Sequence, residues 1–416
     1  WFESGSMPFA AEHYPFENEK RMHERLPADF VAEYIAQTRT WFYYMHVIST
    51  ILFDQIPFKN VVTTGTVLAE DGQKMSKSKG NFPDPWLVFD QYGVDALRLY
   101  LLSSPIMKSE DLNFSEKGVG ETYRKNISRL WNVYSFYEMY ADKKNVKVLP
   151  SQKSSSNILD QWINSRLNQV IVEVTAAMDR YELDQALRPI DQFIEDFSVW
   201  YLRRSRERFK SEDVVDRQAA MDTTRHVLLT LAKVSAPFTP FIAEDIYRRL
   251  GGEKESVHLC EGPVSSQIDN DALASMSLIR SWASMALMKR AENNIKVRQP
   301  LRSFSIKHAS GVPKPKYWNE VEGILKDEIN VKEIIFKEGK EDDPPIELDI
   351  ALTPELEEEG EVRDLIREIQ DWRKKQNLKP GEKVSVPIPQ AKKSLAEKFA
   401  AQIKVATAAS GFEFVS

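Results

Sequence analysis

Three lysines, Lys74, Lys77 and Lys79, stand with Ser76, Ser78 and Gly80 in the string Lys74-Met75-Ser76-Lys77-Ser78-Lys79-Gly80-Asn81. Ammonium groups at this spacing can close over a polyphosphate and offset the charge that gathers on a departing pyrophosphate. The serines add hydroxyl donors, and glycine lets the backbone bend away afterwards. By composition alone the string also suits a solvated basic loop. A second grouping, Arg203, Arg204, Arg206, Arg208 and Lys210, crowds the end of an aromatic segment that begins near Phe193. Lys289, Arg290, Lys296 and Arg298 form another patch; Arg363, Arg367, Arg373, Lys374 and Lys375 form one mixed with glutamates. Guanidinium planes stack on unpaired bases and bridge phosphates, although cations at a helix end also simply answer the macrodipole.

Metal chemistry is not expected. The histidines at 13, 23, 46, 226, 258 and 308 lack ligand spacing, and the one cysteine, Cys260, offers no Cys-x-x-Cys pair for zinc. A lone cysteine fits a reducing, cytoplasmic setting. The net charge of −6 means that any nucleic acid would be met by local patches, not by the overall field. With 416 residues, 42% hydrophobic and 28% charged, the chain suits two to four ordinary folded domains. It has no apolar run of about 18 residues, so no membrane span is expected. There is no internal repeat, and a monomer is the default expectation.

Residues 1–114 mix strand-like and helical runs, which suggests a parallel α/β layer. Residues 30–32 read as extended, 37–53 as an aromatic-rich helix and 61–68 as a β-branched strand, and Glu70-Asp71-Gly72 is turn chemistry. From about 116 to 298 the pattern is helical, with Ile163, Leu167, Val170, Val174 and Ala177 at helical spacing. Thr239-Pro240 is expected to cap and start a helix that Gly251 ends. The serine-rich stretch 150–157 is a loop, and Pro313 to Pro315 and Pro344-Pro345 punctuate others. After Pro300 strands at 303–307, 331–337, 346–352 and 384–388, with a helix marked by Val362, Leu365, Ile366, Ile369 and Trp372, describe a small α+β domain.

The string at 74–81 resembles, in all five positions of Lys-Met-Ser-Lys-Ser and its Lys-Gly-Asn extension, the signature of class I aminoacyl-tRNA synthetases. The similarity spreads along the chain and is best for the isoleucyl-tRNA synthetases, in their eukaryotic-like branch. Trp1-Phe2-Glu3-Ser4-Gly5-Ser6-Met7-Pro8 resembles that family's tryptophan-containing active-site strand. Leu26 to Glu33 and Gln37-Thr38-Arg39-Thr40-Trp41-Phe42 resemble its adenylate-binding segment, and Val94 to Leu99 its stem-contact fold. Trp200 to Arg206, Ser235 to Phe241 and Lys296 to Leu301 resemble its anticodon-binding half, and Leu352 to Leu356 its C-terminal junction domain.

The resemblance implies a multidomain α/β plus all-α chain. It would comprise the second half of a Rossmann-type catalytic domain (1–81), a stem-contact fold (82–115), a helical-bundle anticodon-binding domain (116–300) and a small α+β C-terminal domain (301–416). It implies an ATP-dependent ligase, with Mg²⁺ on the phosphates, that activates L-isoleucine and loads tRNA(Ile). Lys74, Ser76, Lys77 and Ser78 would be catalytic, and Glu33, Gln37 and Met75 would join the two lysines at ATP or the adenylate. Trp1, Ser4, Gly5 and Trp41 would wall the amino-acid pocket; Arg203, Arg204, Arg206, Arg208, Lys296 and Arg298 would meet tRNA. One departure stands out: the family's Glu-Gly-x-Asp-Gln is here Glu33-Tyr34-Ile35-Ala36-Gln37. The start at Trp1 reads as a cut inside a larger protein, lacking the first half of the catalytic domain and the editing domain. The chain alone is expected to be inactive. A non-catalytic tRNA-binding relative and a valine-specific one are the alternatives.

Overall fold

The computed structural model describes residues 1–76, 78, 80–141, 155–308, 314–339, 345–379 and 381–415. Lys77, Lys79, positions 150–154 of the serine-rich loop, Pro313 and Pro344 lie outside the described residues. The chain divides into two compact units, Trp1–Ile268 and Asp269–Ser416. That division precedes the boundary at 300 read from the sequence.

The first unit opens with two helical turns, α1 (Phe2–Gly5) and α2 (Met7–Ala10), where an active-site strand was expected. The Ser6 hydroxyl donates back to the Phe2 carbonyl at 3.0 Å, which favours winding. Helix α3 (Glu19–Arg25) leads to strand β1 (Ala28–Tyr34), a 3₁₀ turn (Ile35–Arg39) and α4 (Trp41–Phe53). The single helix expected over 37–53 is thus broken at Thr40. The Gln37 side-chain oxygen accepts from the Trp41 N–H at 3.3 Å and restarts the chain as α4. Strand β2 (Phe58–Thr64) pairs parallel with β1, from Ala28 against Phe58 to Tyr34 against Thr64. Helix α4 covers the pair through Val31, Phe42 and Met45.

The strand expected over 61–68 leaves that sheet at Gly65, whose N–H turns to the Ile106 carbonyl (2.8 Å). It resumes as β3 (Val67–Leu68), pairing with β4 (Leu112–Asn113), after α5 (Pro85–Tyr92) and α6 (Val94–Leu102) have intervened. With α7 (Glu116–Thr122) these elements bury Val88, Ala96, Phe114 and Val119 as one cluster.

Five longer helices follow: α8 (Ser128–Tyr140), α9 (Ile158–Met178), α10 (Leu183–Glu195), α12 (Val214–Ser235) and α13 (Pro240–Arg249), with the short α11 (Arg203–Ser205) between the third and fourth. Asn157 caps α9 and Asp213 caps α12 through their side-chain oxygens. Helix α13 is different. Thr239 holds the cap position, but its hydroxyl donates back to the Ser235 carbonyl. The cap is supplied from α6: Asp95 accepts from the N–H groups of Ile242 (2.7 Å) and Phe241 (3.4 Å). Three residues on, Arg98 donates to the carbonyls of Pro237 and Phe238. Burial raises the Asp95 pKa, against the opposing pull of these backbone donors.

In the second unit α14 (Asn270–Glu292) packs on α15 (Trp318–Ile329) and belongs with the strands that follow it. Strand β5 (Leu301–His308) sits between β6 (Val331–Glu338), parallel, and β7 (Ile346–Leu348), antiparallel. Helix α16 (Pro354–Lys375) runs a full turn or more beyond the apolar stripe that marked it. It packs with β8 (Val384–Pro389), α17 (Lys393–Lys398), α18 (Ala400–Thr407) and β9 (Ala409–Val415) around Val362, Leu365, Ile369, Val386 and Ile388. No helix among the described residues is long and apolar enough to cross a membrane.

One carboxylate is wholly buried in the helical part. Asp160 on α9 accepts from the Tyr201 hydroxyl (2.8 Å), both Arg208 terminal nitrogens (2.8 and 2.7 Å) and the Ser155 hydroxyl (2.7 Å). Asp160→Ala takes from the buried Arg208 one of its two carboxylates and from the Tyr201 hydroxyl its acceptor, and should cost about 3 kcal/mol in denaturant unfolding of the first unit. Asp191 lies instead among Leu99, Ile127, Leu130, Leu187, Ile190 and Ile194. Burial lifts its pKa from 3.8 to about 6. The folded state therefore keeps a proton that the unfolded state has lost, so Asp191 erodes stability as pH rises from about 4 to about 6. Asp191→Asn should flatten that decline and stabilise the protein at pH 7 by about 2 kcal/mol, read from thermal unfolding across that range.

Candidate functional site

The carboxyl ends of β1 and β2 lie side by side, which is where open α/β sheets hold their ligands. Glu33 is the next-to-last residue of β1, and Gln37 follows within the 3₁₀ turn. The Gln37 oxygen is taken by the Thr40 hydroxyl and the Trp41 N–H. Only its amide nitrogen remains to donate outward. Tyr34, which replaces a glycine of the resembled motif, is partly exposed and brings its hydroxyl 3.3 Å from the Thr66 hydroxyl. It thus ties the end of β1 to the segment that leads into the lysine string.

The expected amino-acid pocket residues come together. The Trp41 indole N–H donates to the Ser4 carbonyl at 3.0 Å, and the Trp1 ring stacks on Tyr44, one turn along α4 (6.3 Å, 7°). Gly5 presses α1 onto α4. A Cβ there would lie 2.9 Å from both the Ile48 and Tyr44 side chains, so only glycine permits the approach. Two flat aromatic rings on one helix, with the α1 backbone against them, form an apolar wall suited to a branched aliphatic side chain.

The lysine string begins at a tight turn. Ala69 N–H donates to the Gln73 carbonyl (2.8 Å), and Lys74 bridges antiparallel to Leu68. The Met75 side chain is claimed by the cluster of Val88, Ala96, Phe114 and Val119, so only its backbone is left to meet a nucleotide. The Ser76 and Ser78 hydroxyls lie 3.2 Å apart. Gly80 takes φ +60°, and its N–H donates to the Ser76 carbonyl at 3.2 Å. Asn81, to which sequence reasoning assigned no role, closes the string: its oxygen accepts from Ser76 N–H (2.9 Å), and its nitrogen donates to the Lys74 carbonyl (3.2 Å). The sequence marks this asparagine only as the end of the Lys-Gly-Asn extension, with no partner to give it a role. Its partners are made neighbours by the fold of the turn.

The arginines are sorted by burial. Residues Asp196–Leu202 form a π-helical turn before α11, a widening often found at functional positions. It presents Arg204 over the Trp200 ring (5.3 Å), while Arg206 stands over Phe136 (5.8 Å). Arg203 donates to the Val199 carbonyl, and partial burial lowers its pKa. Arg208 does not join the surface group. Its side chain is 11% exposed and spent on Asp160 and Asp216, which raise its pKa against the effect of burial. Arg290 likewise leaves the second patch. It is 1% exposed and donates to the carbonyls of Lys296, Gln299 and Asn330; burial, then the nearby Arg363 charge, pulls its pKa down to about 10. Lys296 and Arg298 stay exposed but share Asp364 (3.1 and 2.7 Å). Their hydrogen bonds outweigh burial and hold that carboxyl below its ordinary value. In the third patch Arg373 is buried on the carbonyls of Lys379 and Glu382, Arg367 pairs with Asp371 and Arg363 with Glu359. Among the described residues no group of three or more His, Cys, Asp or Glu side chains could hold a metal ion.

Comparison with known proteins fits this layout. Residues 1–115 match the family of class I tRNA synthetases for I, L, M and V, and residues 160–305 match the anticodon-binding domain of tRNA ligases. An isoleucine–tRNA ligase of Chlamydia pneumoniae is 45% identical over 351 residues, covering 81% of this chain and 33% of the relative. One from Protochlamydia amoebophila is 43% identical over 348 residues, covering 82% and 33%. The chain thus spans about a third of the length of the curated relatives it matches. Among solved structures, a leucyl-tRNA synthetase of Agrobacterium radiobacter K84, in a ternary complex with tRNA and LeuAMS, is similar in fold. Its TM-score is 0.51 at 19% identity, over 78% of this chain and 37% of that one. In one order, then, the chain carries a class I tRNA synthetase domain over residues 1–115 and an anticodon-binding domain of tRNA ligases over residues 160–305.

Proposed function

We propose that this chain is part of an isoleucine–tRNA ligase, which joins L-isoleucine to ATP with release of pyrophosphate and then passes the aminoacyl group to tRNA(Ile). The observation that carries this reading is the placement of the lysine string. The chain leaves the carboxyl end of β2, is tied at Thr66 to Tyr34, the last residue of the strand that bears Glu33, and turns through β3 directly into the lysine string. The match at 45% identity to an isoleucine–tRNA ligase supports the choice of amino acid over valine.

In this reading the protein supplies no covalent nucleophile. Trp1, Trp41, Ser4 and Gly5 hold the side chain of isoleucine, and its carboxylate is set in line with the α-phosphate, which accounts for much of such a rate. Glu33 and the outward amide of Gln37 hold polar groups of the adenylate in place of the missing aspartate at Ala36. Lys74 and Lys77, helped by the Ser76 and Ser78 hydroxyls, offset charge on the departing pyrophosphate. Mg²⁺ is the ordinary companion of ATP phosphates, bound by phosphate oxygens and water, and no residue of this chain is assigned to it. Arg203, Arg204 and Arg206 meet the tRNA, with the Arg204 guanidinium over the Trp200 ring and that of Arg206 over the Phe136 ring. Lys296 and Arg298 form a weaker second contact, since both must first exchange Asp364 for phosphate. A cytoplasmic monomer suits these roles.

Isoleucine-dependent pyrophosphate exchange by the full-length protein tests the whole assignment. Exchange with valine in place of isoleucine would make it the valine-specific relative, and exchange with neither would leave a tRNA-binding protein. Lys74→Ala and Lys77→Ala should each slow exchange by about a hundredfold while the KM for isoleucine changes little. For the RNA face, replacing Arg203 and Arg204 together by alanine should weaken tRNA binding and lower the slope of log affinity against log salt by between 1 and 2, read by filter binding from about 50 to 200 mM salt.

A further inference from the structure

The lysine string reads in sequence as a free, flexible run, yet its described residues form a closed ring. The entry is anchored: Lys74 bridges Leu68, and Met75 is packed against Val88, Ala96, Phe114 and Val119. The exit is tied back to that entry by one side chain. The Asn81 amide accepts from Ser76 N–H at 2.9 Å and donates to the Lys74 carbonyl at 3.2 Å, and Gly80 N–H adds a bond to the Ser76 carbonyl. A primary amide is one of the few groups that offers an acceptor and a donor from one plane at this reach. Aspartate would keep the acceptor but face the Lys74 carbonyl with a second oxygen. Serine is too short to span both partners. The bonds fall on the backbone of the residues whose side chains are placed at the phosphates.

We propose that Asn81 is the positioning residue of the lysine string: its amide clasps Lys74 to Ser76, and so sets where the Lys74 ammonium and the Ser76 hydroxyl meet the departing pyrophosphate. This rests on the adenylate-forming reading given above. Asn81 touches no reacting atom. It holds the backbone of Lys74 and Ser76 in one arrangement, so that the Lys74 ammonium and the Ser76 hydroxyl are placed together instead of being ordered during each turnover. The docked Met75 is the fixed side of the clasp, and Gly80, at φ +60°, lets the chain turn sharply enough to close it.

Two measurements on the full-length protein test the clasp separately from the chemistry. Limited trypsin digestion reports how often the string opens, since trypsin cuts after its lysines and cleavage of a transiently opened segment follows the open population. Asn81→Ala and Asn81→Asp should both be cut within the string about tenfold faster than wild type, with the thermal midpoint unchanged. In pyrophosphate exchange both should lower kcat by about 10- to 100-fold, with the KM for isoleucine unchanged. Wild-type cleavage rates in both variants would overturn the proposal, whatever the protein does with isoleucine. Faster cleavage with an unchanged kcat, or a rise in the KM for isoleucine as large as the fall in kcat, would overturn the positioning role. If wild type shows no exchange at all, the adenylate reading fails and the positioning role falls with it, while the digestion still decides whether the clasp exists.

Discussion

Asp95 ties the two working ends of the first unit together. Its carboxylate, on α6, satisfies the first N–H groups of α13, more than 140 residues along the chain, and Arg98 secures the two carbonyls just before them. A helix N-terminus left buried without acceptors is costly, so the donors and the carboxylate need one another. The lysine string is docked, through Met75, on the same cluster of residues that α6 helps to build. The arginines lie in the helical bundle that α13 completes. One capping interaction therefore sets the cluster that carries the lysine string and the helical bundle that carries the arginines in a common frame.

Within that frame burial assigns the cations. The chain is acidic overall, so any attraction for RNA must come from side chains that stay charged and outward. Arg208, Arg290 and Arg373 are withdrawn into the interior and hold carboxylates or backbone carbonyls. Arg204 and Arg206 stand over aromatic rings, within cation–π distance of Trp200 and Phe136. The Asp160 network explains why Arg208 went inward. A carboxylate with no exposure demands a full complement of donors, and the guanidinium fork supplies two of them while reaching Asp216 as well.

Much of this was legible before any coordinates. The string at 74–81, the tryptophans at 1 and 41 and the change to helices after 115 are local patterns, carried by residue type, spacing and period. What escaped detection was non-local. The strand read as running to Leu68 leaves its sheet at Gly65 because Ile106 and Asp111 offer new partners there. The helix α14 joins the second unit because its packing surface lies on α15, and β9 carries too short an alternation to be seen without β8 beside it.

By itself the sequence determined the chemistry on offer: cations and hydroxyls in a phosphate-closing string, flat apolar walls, and arginines beside aromatics. Only the tertiary structure decided which of these groups are available. Thr239 looked like the cap of α13 and is replaced by Asp95; Arg208 and Arg290 looked like RNA contacts and became internal struts; Asn81 ended a motif with no role of its own and holds Lys74 to Ser76. The physical reason is the same in each case. A hydrogen-bonding group takes the partner that burial brings within reach, and sequence spacing does not encode which distant residue that will be.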